Sequence, residues 1–225
     1  MTQTRGFTLV EMLMVMAVIA ILSLTFPAIQ SALMSNGFRA DTSDMSDVLE
    51  GAYSAALAKN TYVWVGFAQM PNNGGLELAG IYSKSGSPGD ISTTDQGVLF
   101  KPVVFQSLNL TTITSTQISN AARIPASSGV GQLFDSSNLL DVSDSTNTAA
   151  FSAQISGAVQ NFQSAGTAPY FTTIMEITPS GQVTISSSNK YPWIEVGLQP
   201  LHGNGKDVAV LQMNAFTGRV VQFLP

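Results

Sequence analysis

The side chains able to do chemistry in this sequence are few, and most stand alone. There is one histidine, His202, in the run Pro200-Leu-His-Gly-Asn-Gly205, and there is no cysteine. A lone imidazole works as a general base only beside a positioned acid and a nucleophile, and no local spacing supplies them. Without thiols there is no disulfide, no thiolate zinc site and no cysteine nucleophile. Asp135, Asp141 and Asp144 have neither the spacing nor the pivotal glycine of an EF-hand, so they read as solvated loop acids rather than a calcium site. Gly203-Asn-Gly205-Lys206 lacks the Gly-x-x-x-x-Gly-Lys-Ser/Thr spacing of a phosphate loop. Catalytic residues, metal ligands and cofactors are therefore all expected to be none, and the chain is not expected to be an enzyme. One ionisable residue demands a physical account. Glu11 lies inside an apolar run from Phe7 to Pro27 that holds no other charge. At mid-bilayer its ionised form would cost ~2.5–3.5 kcal/mol, so a cation beside it is the chemistry to look for.

The elements around these residues follow from composition and pattern. The chain has 225 residues, more than the ~150 of a typical domain and tight for two. Apolar residues make up 44% and charged residues 10%, well under the usual ~25%, so material for a core is ample. Nine Lys+Arg against fourteen Asp+Glu give a net charge of -5, with the cations scattered singly. Nucleic acid is an unexpected partner on that count, because counterion release needs several cations on one surface.

The apolar run of 21 residues would make about 31 Å of helix, enough to cross a bilayer core. Arg5 precedes it, while Asp41, Asp44, Asp47 and Glu50 follow, so the N-terminus is expected in the cytoplasm and the remainder exported. An ordinary signal peptide would want an unbroken apolar stretch and then an Ala-x-Ala-like site, which Ala28-Ile-Gln-Ser-Ala32 does not offer. A plain membrane anchor has the right length but gives Glu11 no purpose.

A third reading gives it one. Gly6-Phe7-Thr8-Leu9-Val10-Glu11 ahead of an apolar helix resembles the class III signal of type IV prepilins and of type II secretion pseudopilins. The resemblance implies that a prepilin peptidase cuts between Gly6 and Phe7 and that Phe7 becomes the N-methylated terminus. It also makes Glu11 the acid that pairs with the Phe7 amine of a neighbouring subunit in the apolar bundle. A buried carboxylate so paired is tolerated, and the pairing selects one axial register. Pro27 is expected to bend the helix, since proline removes a backbone donor.

Beyond Pro27 an amphipathic helix is expected. Met45, Val48, Leu49, Ala52, Tyr53, Ala56 and Leu57 recur at i, i+3, i+4, i+7 and onward, with Asp41, Asp44, Asp47 and Glu50 on a solvated face and Lys59-Asn60 closing the helix. Strands are expected over 61–67, 76–82, parts of 97–108 with Pro102 at a bulge or edge, 170–178, 182–186, 193–198, 207–213 and 219–223. Residues 108–168 read as a loop-rich insertion with one short helix near 149–162. Trp64 and Trp193 read as core or sheet-face residues rather than ligand-stacking platforms.

The expected architecture is α+β: a leader 1–6, a transmembrane or filament-core helix 7–30, an amphipathic helix 31–60, and an exported antiparallel β domain 61–225 on which that helix packs. The helix running into Asn60-Thr-Tyr-Val-Trp-Val65, with the closing Thr217-Gly218-Arg219-Val220, resembles the H-type minor pseudopilins and FimT-type minor pilins. Trp193-Ile-Glu-Val-Gly-Leu-Gln-Pro200 resembles a pilin-like cassette protein (protein D) of Verrucomicrobia. These resemblances imply a structural subunit in a bacterial inner membrane, assembled with other pilin-like subunits into a filament after processing by prepilin peptidase. The system, cargo and neighbours stay open. So do an adhesive or DNA-uptake minor pilin and a membrane-anchored exported protein.

Overall fold

The computed structural model describes residues 9–70, 74–88, 95–113, 122–125, 129–132, 171, 173–185, 190–201 and 207–224, except the side chains of 21–34. The chain divides into two compact units, residues 1–37 and 38–225. The expected helix at 149–162 and most of the insertion lie outside the described residues.

Helix α1 spans Leu9–Lys59, and Pro27 falls inside that span. From Phe38 onward its inward face is Phe38, Met45, Leu49, Ala52, Tyr53 and Ala56, all buried. Thr42 and Ser46 share that burial, a pair the apolar pattern passes over; Thr42 Oγ1 meets its need by donating to the Phe38 carbonyl at 2.7 Å. The helix ends at Asn60, whose φ of 50° is left-handed. Asn60 N–H donates to the Leu57 carbonyl at 3.2 Å and Thr61 N–H to the Ala56 carbonyl at 3.1 Å, a Schellman closure.

Ten strands follow: β1 Val63–Gln69, β2 Leu76–Ser83, β3 Gln96–Phe105, β4 Leu108–Leu110, β5 Val130–Gln132, β6 Thr173–Ile177, β7 Val183–Thr184, β8 Trp193–Pro200, β9 Ala209–Asn214 and β10 Val220–Phe223. They form two sheets where one was expected. Sheet A has the order β3-β2-β1-β6-β7, and sheet B the order β10-β9-β8-β4 with β5 also on β8. Alternation explains the pairing of layers. Val63, Val65 and Phe67 of β1, with Ile194, Val196 and Leu198 of β8, turn inward and join the α1 residues in one core. The fold is thus α+β with antiparallel sheets, save one pair.

That exception is β5, which runs parallel to β8, Val130 opposite Trp193. It shares one side of β8 with the antiparallel β4, which pairs with the other end, Leu108 opposite Pro200. The stretch 108–132 therefore contributes two strands, a correction to its reading as loop. Its strands, Leu-Asn-Leu and Val-Gly-Gln, are too short for a period to be seen in sequence. Pro102 sits on β3, an edge strand, where the register against β2 shifts between Leu78 and Gly80. Edge position and irregular register together accommodate the missing donor.

Candidate functional site

The motif-bearing segment begins α1. Glu11 stands in the helix's first turn, where a carboxylate meets the positive end of the helix dipole. Every described side chain from residue 9 to 20 is exposed, on all sides of the helix, from Leu9 at 77% through Met14 at 71% to Ile19 at 53%. A helix apolar all round is suited to an apolar surrounding rather than to water. Gly6 and Phe7 lie outside the described residues, as does the Pro27 side chain. Among the described residues no helix is long and apolar enough to cross a membrane.

A second feature is the hairpin β9–β10, which carries the closing Thr217-Gly218-Arg219-Val220. Asn214 Oδ1 accepts from the N–H groups of Phe216 at 3.0 Å and Thr217 at 2.9 Å, an Asx turn that fixes the loop. Helix α1 then clasps it. Tyr53 Oη donates to the Phe216 carbonyl at 2.8 Å, and Glu50 Oε1 accepts from Val220 N–H at 3.0 Å. Asp41 does similar work elsewhere, accepting from Ser107 N–H at 3.0 Å and from the Ser107 hydroxyl. Of the acids of α1, Asp44, Asp47 and Glu50 are exposed, as a solvated face requires, and Asp41 is half-buried; Asp41 and Glu50 also tie the helix to the β domain.

The polar groups that sequence reasoning missed lie on the outer faces of the two sheets. On sheet B, Arg123 meets Glu195 with two parallel bonds, Nε to Oε1 at 2.7 Å and Nη2 to Oε2 at 2.8 Å, both side chains buried. Gln212 Nε2 adds a bond to Glu195 Oε1 at 3.0 Å and donates to the Ile124 carbonyl at 2.7 Å, while its Oε1 accepts from Ile124 N–H at 3.3 Å. Gln132 treats Ile113 the same way, at 2.8 and 3.1 Å. Two side-chain amides thus replace the backbone partners that these irregular segments lack. Alternation along β8 and β9 marks Glu195 and Gln212 only as pointing away from the core, and nothing local shows that a further segment covers them.

On the outer face of sheet A, Glu77 is fully buried with neither carboxyl oxygen hydrogen-bonded, and burial pushes its pKa up to about 7. Glu176, on β6, accepts from Trp64 Nε1 at 2.9 Å; burial raises its pKa and the indole bond works against that rise. Trp64 is thereby a sheet-face residue with its polar edge engaged, and Trp193 opens β8 half-buried. Among the described residues no three or more His, Cys, Asp or Glu side chains are grouped to hold a metal ion. Asp135, Asp141, Asp144, His202 and the Gly203–Lys206 run all lie outside the described residues.

The feature to be identified is therefore an acid-bearing, all-apolar helical start behind a glycine–phenylalanine bond. Residues 1–26 match the prokaryotic N-terminal methylation motif. No curated protein and no solved structure matches the chain. The motif match supports a type IV prepilin-like signal and, with it, an exported subunit of pilin or pseudopilin type. Such a signal implies processing by a prepilin peptidase and assembly with other pilin subunits, and it is consistent with an inner-membrane anchor.

Proposed function

We propose that this protein is a structural, non-catalytic subunit of a type II secretion pseudopilus or a type IV pilus-like filament, and that it is a minor pseudopilin of the H type. The observation that carries this is the methylation motif over residues 1–26 together with the stretch 9–20 inside it, helical and exposed on every side and apolar except for Glu11, its one acid. Prepilin peptidase removes residues 1–6 and methylates Phe7. The helix over 7–30 sits in the inner membrane with the N-terminus cytoplasmic and the β domain periplasmic, then passes into the filament core.

Three physical needs are met together by that sequence of events. The apolar side chains exchange lipid for neighbouring apolar helices and never face water. Cleavage leaves a cation, the Phe7 amine, which methylation does not discharge. Glu11 of one subunit accepts the Phe7 amine of the next, so the pair is formed only at one axial offset, and mis-registered neighbours would leave both charges buried and unpaired. The globular unit then supplies the outward surface, with its loops braced by the Tyr53, Glu50 and Asp41 ties rather than by disulfides.

Co-expression with a prepilin peptidase tests the reading. The chain is expected to lose the mass of residues 1–6, and Gly6→Lys is expected to abolish that loss because the peptidase must reach the bond. Normal processing of Gly6→Lys would remove the cleavage site from the account.

A further inference from the structure

We propose that Glu77 makes the outer face of sheet A a proton-sensitive switch: with its carboxyl neutral the face stays closed, and ionisation loosens the packing around it. The geometry sets the problem. Glu77 is 0% exposed, and both of its oxygens lack a hydrogen-bond partner. On β1 it lies opposite Ala68 and on β3 opposite Val104, so its immediate cross-strand neighbours are apolar. The face around it is the cluster Ala68, Ala79, Ile81, Phe171 and Ile174 with Trp64 packed on it. Among the described residues Phe171 is the one member that comes from outside the three central strands.

No described cation is placed to relieve the charge. On β1 the outward positions are Trp64, Gly66 and Ala68, none of them titratable. Lys101 belongs to the irregular part of β3 and is exposed to solvent. Glu176 of β6 pairs with Trp64, four positions along β1 from Ala68, and as an acid it would oppose rather than assist ionisation. A carboxylate without partner in an apolar site either stays protonated or draws water to itself. The rise to about 7 expresses the first choice, and places the changeover at neutral pH. Above it, hydration of Glu77 competes with the contacts of Ala68, Phe171 and Ile174, and the face opens.

Trp64 is a built-in reporter of this face, and Trp193 is the sole other tryptophan. The test is Trp64 fluorescence of the full chain in detergent micelles carrying Trp193→Phe, titrated from about pH 5 to pH 9. The expected result is a red shift with a midpoint near 7 that Glu77→Gln removes and Glu176→Gln leaves in place. A red shift that survives Glu77→Gln, or that only Glu176→Gln removes, overturns the proposal. So does the absence of any transition across that range. Should Glu77→Gln fail to fold, carboxyl 13C NMR on the glutamate-labelled Glu176→Gln chain decides: one glutamate titrating near 7 supports the switch, and none above about pH 6 contradicts it.

Discussion

Gly218 lies flat against the ring of Tyr53: a β-carbon added to it would stand 2.2 Å from the nearest ring carbons, inside any permitted contact. The same glycine has a φ of 67°, so both space and backbone exclude a larger residue there. Tyr53 also sets the limit at Gly181, whose added β-carbon would meet the phenol oxygen at 2.6 Å. One side chain of α1 thus rests on two turns, one from each end of the β domain's second half.

Gly218→Val is expected to destabilise the folded domain by about 2–4 kcal/mol, from the left-handed backbone and displacement of the Tyr53 ring together. Tyr53→Phe, which keeps the ring and loses only the bond to Phe216, is expected to cost about 0.5–1.5 kcal/mol. Thermal unfolding of the full chain in detergent checks the order. Equal effects from the two changes would mean that the hydrogen bond, not the ring packing, fixes the hairpin.

The buried pair on sheet B makes an asymmetric prediction. Arg123→Met leaves the Glu195 carboxylate buried with only Gln212 beside it, and a loss of about 3–5 kcal/mol is expected. Adding Glu195→Leu removes the stranded charge, so the double variant is expected to recover much of that loss. Denaturant unfolding of the two single variants and the double variant measures the coupling. Additive effects would show that the bidentate contact contributes little.

For Glu77 the sign of the pH dependence follows from its direction of shift. Its folded pKa is raised from 4.5 to about 7, so the folded state binds the proton more tightly than the unfolded chain. The contribution is full below pH 4.5, declines as pH rises, and is gone above about 7. Glu77→Leu is therefore expected to flatten stability across that window and to raise it at pH 8 by roughly 1–3 kcal/mol. Chemical denaturation at pH 5 and pH 8 reads both effects, and a wild-type stability that rises over that interval, with the rise lost in Glu77→Leu, would contradict a raised Glu77 pKa.

Much of this architecture was legible beforehand, for identifiable reasons. The face Met45, Leu49, Ala52, Tyr53, Ala56 repeats at helical spacing with no competing signal, and Lys59-Asn60 supplies a left-handed stop. The strands from β6 onward are short alternating runs between glycine- and proline-bearing turns, so each was located to within a few residues. Leu57 shares the apolar spacing but is 45% exposed, because at about 100° per residue it falls at the margin of the buried stripe that Met45, Leu49, Ala52 and Ala56 define. The division into two sheets was not legible: β1 and β8 carry similar alternation, and only long-range pairing sorts them into different layers. Glu77 and Glu195 escaped for a related reason. Each sits in an apolar-polar-apolar triplet, Leu-Glu-Leu and Ile-Glu-Val, which reads as a solvent-facing acid until something covers that face. The N-terminal methylation motif was legible because its pattern is local, needing no partner distant in sequence.

Glu11→Leu separates anchoring from assembly. The substitution removes the one charge of the apolar run, so membrane insertion is expected to be retained or improved while recovery of the protein in sheared filaments falls. Unchanged recovery would remove the pairing of Glu11 with a neighbouring amine from the account.

Whether the chain enters the pilin pathway is read from the mass of its N-terminal peptide in native membranes. A chain beginning at N-methyl-Phe7 is the predicted result. A chain starting near Ala32 would mean ordinary secretion, and an intact Met1 would mean a permanent anchor; either would contradict the filament reading.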